Sequence, residues 1–409
     1  MTTQLTPTTE KQRFMILDAL RGFALFTIIL ANLPEFGLWT FLPAEAQQAM
    51  PSAKVDGWVR FFQYFLIDGK GYGLFSLLFG CGFSIIISHA LQRGSSGIRL
   101  FYRRMSLLLV IALAHLLLIW SGDILCLYAV LGMVLPLFHR LSNHQLLGWS
   151  VGLLALPVLM ELVQQVGNFD IAAPLEAAWW AKAHSYGINE DNFARWLVEA
   201  DNYAAISQFL MQGAVERMWE FVDGDRLPKV LGLFVLGYCM GRNGLYAAVD
   251  KYHDLLKRYA CWLGLWSMPL SLLYAWESIS GHPWGATMHA LIYFLSVVPM
   301  TLFYLSLFCL LWLRHGNGLI FRLLAKPGRM ALTNYIGQSV LGIAVFYGIG
   351  MGMGLKMGLA EIEITAVLLF AVQVAFSAYW MHVFRFGPIE WVWRMLTYGR
   401  WLNPLKVRT

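Results

Sequence analysis

The chain has 409 residues, of which 58% are hydrophobic and only 13% charged. Soluble domains carry roughly 25% charged residues, so this composition excludes an ordinary soluble fold and points to lipid as the main solvent. The net charge of +6 does not indicate a nucleic-acid partner, because the basic residues sit in short segments between apolar stretches.

About 20 apolar residues are needed to cross a bilayer as a helix. The first such stretch, 14–33, is too long for a signal peptide and is followed by no small-residue cleavage site, so it reads as an anchor that stays in place. It carries Asp18 and Arg21, three apart and able to pair. Asn32 lies on the face of Arg21, about 16 Å along the axis. That face suits a cationic site with a distant amide. It equally suits a structural ion pair and an Asn bonded to a neighbouring helix. Segment 34–71 holds Trp39, Trp58, Phe61, Phe62 and Tyr64, and part of it reads as an interfacial amphipathic helix. Asp68 and Lys70 stand at the mouth of the second stretch, 72–90, whose glycines favour close helix packing over phosphate binding.

The third and fourth stretches, 105–121 and 123–138, place His115 inside the bundle and Asp123 in the intervening turn. A neutral imidazole suits general-base work on a hydroxyl or amine, and equally a hydrogen bond to a neighbouring helix. Asp123 also reads as the cap of the fourth stretch. After 146–166 comes a long segment, 167–227, with Trp179, Trp180 and Trp196 among ten acidic and four basic side chains. It is expected to form capping helices with a structure or function of its own.

Further stretches follow at 228–245, 259–277, 286–313, 329–350 and 362–384. In the ninth, Arg329 opens the helix and Asn334 and Gln338 share one face four residues apart. The tail, 385–409, mixes Trp391, Trp393, Tyr398 and Trp401 with arginines and reads as an interfacial helix, with Glu390 and Arg394 spaced for an ion pair. The five cysteines all fall in apolar stretches and read as buried core residues. The remaining histidines and the acidic residues show no metal-ligand spacing, so no metal is expected.

The expected architecture is therefore an all-α polytopic transmembrane helix bundle of about ten spans forming one domain, 1–409. It comprises five spans over 14–166, the 167–227 extracytoplasmic cap, five spans over 228–384 and the 385–409 interfacial tail. With the N-terminus inside, alternate segments place 21 of the 30 basic residues in the cytoplasm: Lys11, Arg13 and Arg21; Arg93, Arg99, Arg103 and Arg104; Arg140; Arg242, Lys251, Lys257 and Arg258; Arg314, Arg322, Lys326 and Arg329; Arg385, Arg394, Arg400, Lys406 and Arg408. This asymmetry places both termini in the cytoplasm.

Several segments together resemble the YeiB family of bacterial multi-pass membrane proteins. They are Leu17–Ala24 with Asn32, the glycine segment Leu77–Phe83, His115 with Gly122–Leu125, Gly328–Ser339 and Phe386–Thr397. The last two fall in what is described as a C-terminal domain of unknown function. The resemblance implies a location in the bacterial inner membrane. It also implies a relation to transmembrane acyltransferases, such as the acyltransferase-3 proteins and the lysosomal heparan glucosaminide acetyltransferase, which pass an acyl group from cytoplasmic acyl-CoA to an acceptor across the membrane. Acyltransferase-3 members carry histidine where this chain has Asn32.

On that reading Arg21 and Arg329 would bind the donor phosphates, and Asn334 and Gln338 would line the donor channel. Asn32 would stabilise the oxyanion. His115 would act as base, oriented by Asp123 or Asp68. The donor is acyl-CoA, with no tightly bound cofactor. The acceptor is a sugar, lipid or amine, the partner is membrane lipid, and a homo-oligomer is left open. The alternative is a transporter passing a small solute through the same polar interior.

Overall fold

The structure is a computed structural model describing residues 14–92, 97–316 and 318–406. Lys11, Arg13, Arg93 and Arg408, used above to orient the chain, lie outside these residues. The described residues form seventeen α-helices and no strand beyond an isolated bridge, Phe384 to Leu405. In chain order the helices are α1 Met15–Phe36, α2 Ala44–Gln48, α3 Ala53–Leu66, α4 Lys70–Gln92, α5 Gly97–Leu118, α6 Leu125–Val134, α7 Asn143–Gly167, α8 Ala173–His184, α9 Phe193–Glu199, α10 Tyr203–Asp223, α11 Arg226–Arg242, α12 His253–Ile279, α13 Gly285–His315, α14 Leu319–Arg329, α15 Ala331–Phe346, α16 Leu359–Val383 and α17 Pro388–Tyr398.

All ten expected apolar stretches fall on helices. Six stretches are long and apolar enough to cross a bilayer: Met15–Phe36, Ala53–Ser88, Gly97–Leu118, Asn143–Gly167, Gly285–His315 and Leu359–Val383. The all-α membrane bundle is therefore the fold. Aromatic and aliphatic side chains cover its outer faces, among them Trp149 on α7, Trp262 and Trp266 on α12 and Leu368 on α16, all exposed. In water these faces would be a liability; in lipid they are the solvated surface. Four of the five cysteines are buried, but Cys261 is exposed beside these α12 tryptophans.

The helix expected over 329–350 is α15, Ala331–Phe346, a few residues shorter at each end, and Arg329 closes the preceding helix α14 instead of opening this one. Met330 leaves helical geometry at φ −118°, ψ 39°, separating α14 from α15, and α15 stops at Phe346. Pro327 and Gly328, both poor helix formers, precede the break. The Glu390 carboxylate of α17 takes up the first turn of α15. It accepts from the Leu332 N–H at 2.7 Å, the Thr333 N–H at 3.1 Å and the Thr333 hydroxyl at 2.5 Å. A carboxylate at a helix N-terminus satisfies orphan donors and meets the positive end of the dipole. The tail is thus built into the bundle, with Trp393 buried against α5. Trp401 remains exposed, as an interfacial aromatic would.

α14 is strongly amphipathic, with exposed Leu319 and Ile320 on its outer side, and crosses close to α1. A side chain on Gly328 would run into the Asp18 carbonyl oxygen, and one on Gly22 into the Leu324 carbonyl. Only glycine at these two positions allows the backbones to meet. The result is that Arg21 and Arg329 come to one end of the bundle.

The 167–227 segment forms α8, α9 and α10, which cover the opposite end. Trp179 stacks on Trp180 and on Trp219, at centroid distances of 4.6 and 5.1 Å, and its indole N–H donates to Gln212. α12 and α13 pack as an antiparallel hairpin, with Ser267 bonded to Met300 and Tyr274 against Tyr293.

Candidate functional site

One cavity of about 530 Å³ runs through the bundle. Its wall along α1 includes Arg21, Thr27, Ile28, Ala31, Asn32 and Glu35. The step from Arg21 to Glu35 is about 21 Å of helix rise.

One end is cationic. Arg21, Arg104, Arg329 and Arg394 all line it, with Glu390 and Trp393. Contacts hold three of them in place. Arg21 is held by Asp18 at 3.0 Å. The Arg104 guanidinium lies 3.8 Å from the Trp393 ring centroid, and the Trp393 indole N–H donates to the Arg104 carbonyl at 3.0 Å. Arg394 sits over the Phe386 ring at 5.1 Å. Four guanidiniums from α1, α5, α14 and α17 converge where planar donors can meet phosphate oxygens.

The waist is apolar and aromatic, with Phe75, Phe79, Phe83, Leu108, Tyr128 and Tyr335 in the wall. The far end is polar. Asn32, Glu35, Asp68, Arg217, Arg226, Lys229 and His289 line it. Asp68 accepts from the Tyr274 hydroxyl. Arg217 is buried and donates to the Asp123 carbonyl at 2.7 Å and the Gly122 carbonyl at 2.5 Å, fixing the turn between α5 and α6. It also pairs with Glu220. Where α10 meets α11, burial pushes the Asp225 carboxyl up to about 7, against the opposing pull of Lys229.

The sequence candidates divide into two groups. Arg21, Arg329, Asn32 and Asp68 share the cavity wall. His115, Asp123, Asn334 and Gln338 are buried and are not among the lining residues. His115 Nδ1 lies 2.8 Å from Asp123 Oδ2 and its Nε2 lies 2.9 Å from Ser339 Oγ. Asp123 also accepts from the Cys126 N–H at 2.7 Å, as expected for a cap. Both imidazole nitrogens are therefore engaged. The ring sits beside Tyr335, at a centroid distance of 5.4 Å, and it is Tyr335 that faces the cavity. The Asn334 amide donates to Pro327, Met330 and Ser377, and the Gln338 amide to Leu25 and Gln373. These amides join α15 to α16 and α1 through buried hydrogen bonds.

Sequence reading placed Arg104 and Arg394 among the cytoplasmic basic residues but missed Glu35, Arg217, Lys229 and His289. Glu35 had a readable signal, since it lies three residues after Asn32 on the same helix face. The others come from distant helices and carried none. The fold also gathers Glu277, His282 and His289 at the far end, a group whose linear spacing showed no metal pattern.

Bundle, cap and through-running cavity define a polytopic all-α membrane protein with a polar interior. Residues 240–400 match the family described as "Protein of unknown function (DUF418)". The chain is 27% identical to the "Uncharacterized protein YxaH" of Bacillus subtilis (strain 168), over 99% of each chain. It is 28% identical to the "Uncharacterized 39.9 kDa protein in amylase 3'region" of Bacillus acidopullulyticus, over 97% of each. It is 27% identical to the "Uncharacterized protein YeiB" of Escherichia coli (strain K12), over 94% of this chain and 96% of that one. Over nearly its whole length the chain is thus similar to YeiB and YxaH, and its C-terminal part matches the DUF418 family.

Proposed function

We propose that this protein is a transmembrane acyltransferase that takes an acyl group from a cytoplasmic acyl-CoA and passes it to an acceptor at the opposite face. The observation that carries this reading is one continuous cavity with four arginines at one end, an apolar waist, and Asn32 and Glu35 at the other. The charge asymmetry of the loops supports a bacterial inner-membrane orientation with both termini and the arginine end in the cytoplasm.

Arg21, Arg104, Arg329 and Arg394 would hold the donor phosphates. The acyl-bearing arm would lie along the waist. At the far end a hydroxyl or amine of a sugar, lipid or amine acceptor attacks the thioester carbonyl. The new bond to carbon forms as the carbon–sulfur bond breaks, and the thiol leaves with a proton. Asn32 would donate to the developing oxyanion. Glu35, one turn further along the same wall, would take the acceptor proton and return it to the departing thiolate. His115 and Asp123 would act behind the wall, holding Ser339 and the α5–α6 turn beside Tyr335.

Calorimetry of the purified protein with a series of acyl-CoAs tests this. Micromolar binding is expected, with affinity lowered at least about tenfold by Arg329→Ala, as for loss of a charge-assisted contact. Absence of binding across the series refutes it. The cations at both ends of the cavity, Arg217 and Lys229 facing the four arginines, favour an anion transporter as the second reading. Uptake into proteoliposomes without covalent product would select it.

A further inference from the structure

The α12–α13 hairpin brings together three side chains that the acyl-transfer reading does not use. Glu277 lies in the last turn of α12 and is fully buried. His289 lies in the second turn of α13, and its ring forms part of the cavity wall. His282 lies in the connection. Glu277 Oε1 is 2.9 Å from His282 Nδ1, and Glu277 Oε2 is 2.7 Å from His289 Nδ1. The two imidazole centroids are 4.1 Å apart. One ligand atom from each of the three residues can be chosen so that all lie within 4.8 Å of one another.

The backbone is shaped to make this meeting happen. Residues five apart on a continuous helix point to different faces. Here Gly281, at φ 73°, and His282, at φ 58°, both take left-handed geometry directly after α12. That turn brings the His282 ring back over Glu277. Left-handed backbone at a non-glycine residue is uncommon and is retained when the surroundings over-determine it. A carboxylate with no exposure inside a membrane bundle also needs compensation. Its hydrogen-bond partners include these two imidazoles, one on each oxygen.

We propose that Glu277, His282 and His289 bind one zinc-type divalent cation at the far end of the cavity. Two imidazole nitrogens and one carboxylate oxygen are the ligand chemistry that zinc accepts. Metal–ligand distances near 2.1 Å put tetrahedral ligands about 3.4 Å apart. The present ligand-atom separations, from 2.7–2.9 Å between each imidazole and its carboxylate oxygen up to at most 4.8 Å within the group, bracket that value. Three protein ligands leave a fourth position, the arrangement of a site that holds water or a substrate oxygen. Because His289 is in the wall, that position opens on the cavity. The inference rests on the hairpin geometry and stands whether or not the protein transfers acyl groups.

The test uses the full chain, purified in detergent with an affinity tag that contains no histidine and stripped with chelator. Zinc chloride is then titrated by calorimetry, and bound zinc is counted by elemental analysis after desalting. One zinc per chain is expected. The His282 side chain is 46% exposed, so His282→Ala should fold. It should weaken zinc binding by at least about tenfold. Cobalt in place of zinc should give the visible absorption of a four-coordinate site in the unmodified protein, and a reduced band in His282→Ala. Glu277→Gln with His289→Ala should abolish retention. Failure of the unmodified protein to retain zinc overturns the proposal. So does stoichiometric zinc whose affinity and cobalt spectrum are unchanged by His282→Ala.

Discussion

Replacing His115 with alanine removes two hydrogen bonds at once from a site with no access to water. Asp123 Oδ2 loses the His115 Nδ1 partner at 2.8 Å and Ser339 Oγ loses Nε2 at 2.9 Å. Each orphaned buried group costs about 1–3 kcal/mol, and the space left by the ring adds about 1 kcal/mol where the helices do not close over it. Asp123 keeps its bond from the Cys126 N–H, which limits the loss. The expected destabilisation is about 3–5 kcal/mol. For a chain of this length that is a fall of roughly 3–6 °C in melting temperature, on the size scaling of unfolding entropy. Thermal unfolding in detergent, followed by size-exclusion chromatography of heated samples, measures it. Ser339→Ala, which removes one partner, should cost about 1 kcal/mol, and the double variant should cost less than the sum because the two share a bond. Donor affinity should be unchanged in both, since neither side chain lines the cavity. A His115→Ala protein that melts with the unmodified one yet loses transfer activity would refute the structural role and return His115 to the chemistry.

Three further outcomes follow from the packing. Glu390→Ala leaves the first turn of α15 without its carboxylate and should destabilise by about 2–4 kcal/mol; Glu390→Gln, which keeps an oxygen, should cost about half as much in the same assay. Gly328→Ala forces α14 away from α1 and should lower folded yield sharply, with a cost of about 3 kcal/mol or more, whereas Gly148→Ala on α7, where a Cβ meets nothing, should be near neutral. Asp225 has a folded-state pKa near 7, well above its unfolded value, so protonation favours the folded protein; its contribution to stability should be full below about pH 4 and be lost as pH rises through 7, and Asp225→Asn should flatten the pH dependence of stability between those values. A pH series of melting temperatures for both proteins checks the sign.

The sequence alone determined the class of the fold. Ten apolar stretches mark ten helices because lipid leaves the backbone no other way to satisfy its hydrogen bonds. It also marked the α1 face from Arg21 to Asn32, since residues on one helix are related by a fixed period. The apolar pattern over 329–350 marked α15, but not that its first turn is capped by Glu390 from another helix. Polar residues within spans were legible as unusual, but not what they face. Asn32 and Asn334 look alike in sequence, yet one lines the cavity and the other is spent on α16. His115 and His289 differ in the same way. His115 stood out because it lies deep in an apolar stretch, and there the fold gives it two partners. His289 was passed over beside a turn, and the hairpin turns it to the cavity wall. Which polar group is satisfied by a neighbour and which faces open space is fixed by helices far apart in the chain. Local spacing carries no record of that, so only the tertiary structure decided it.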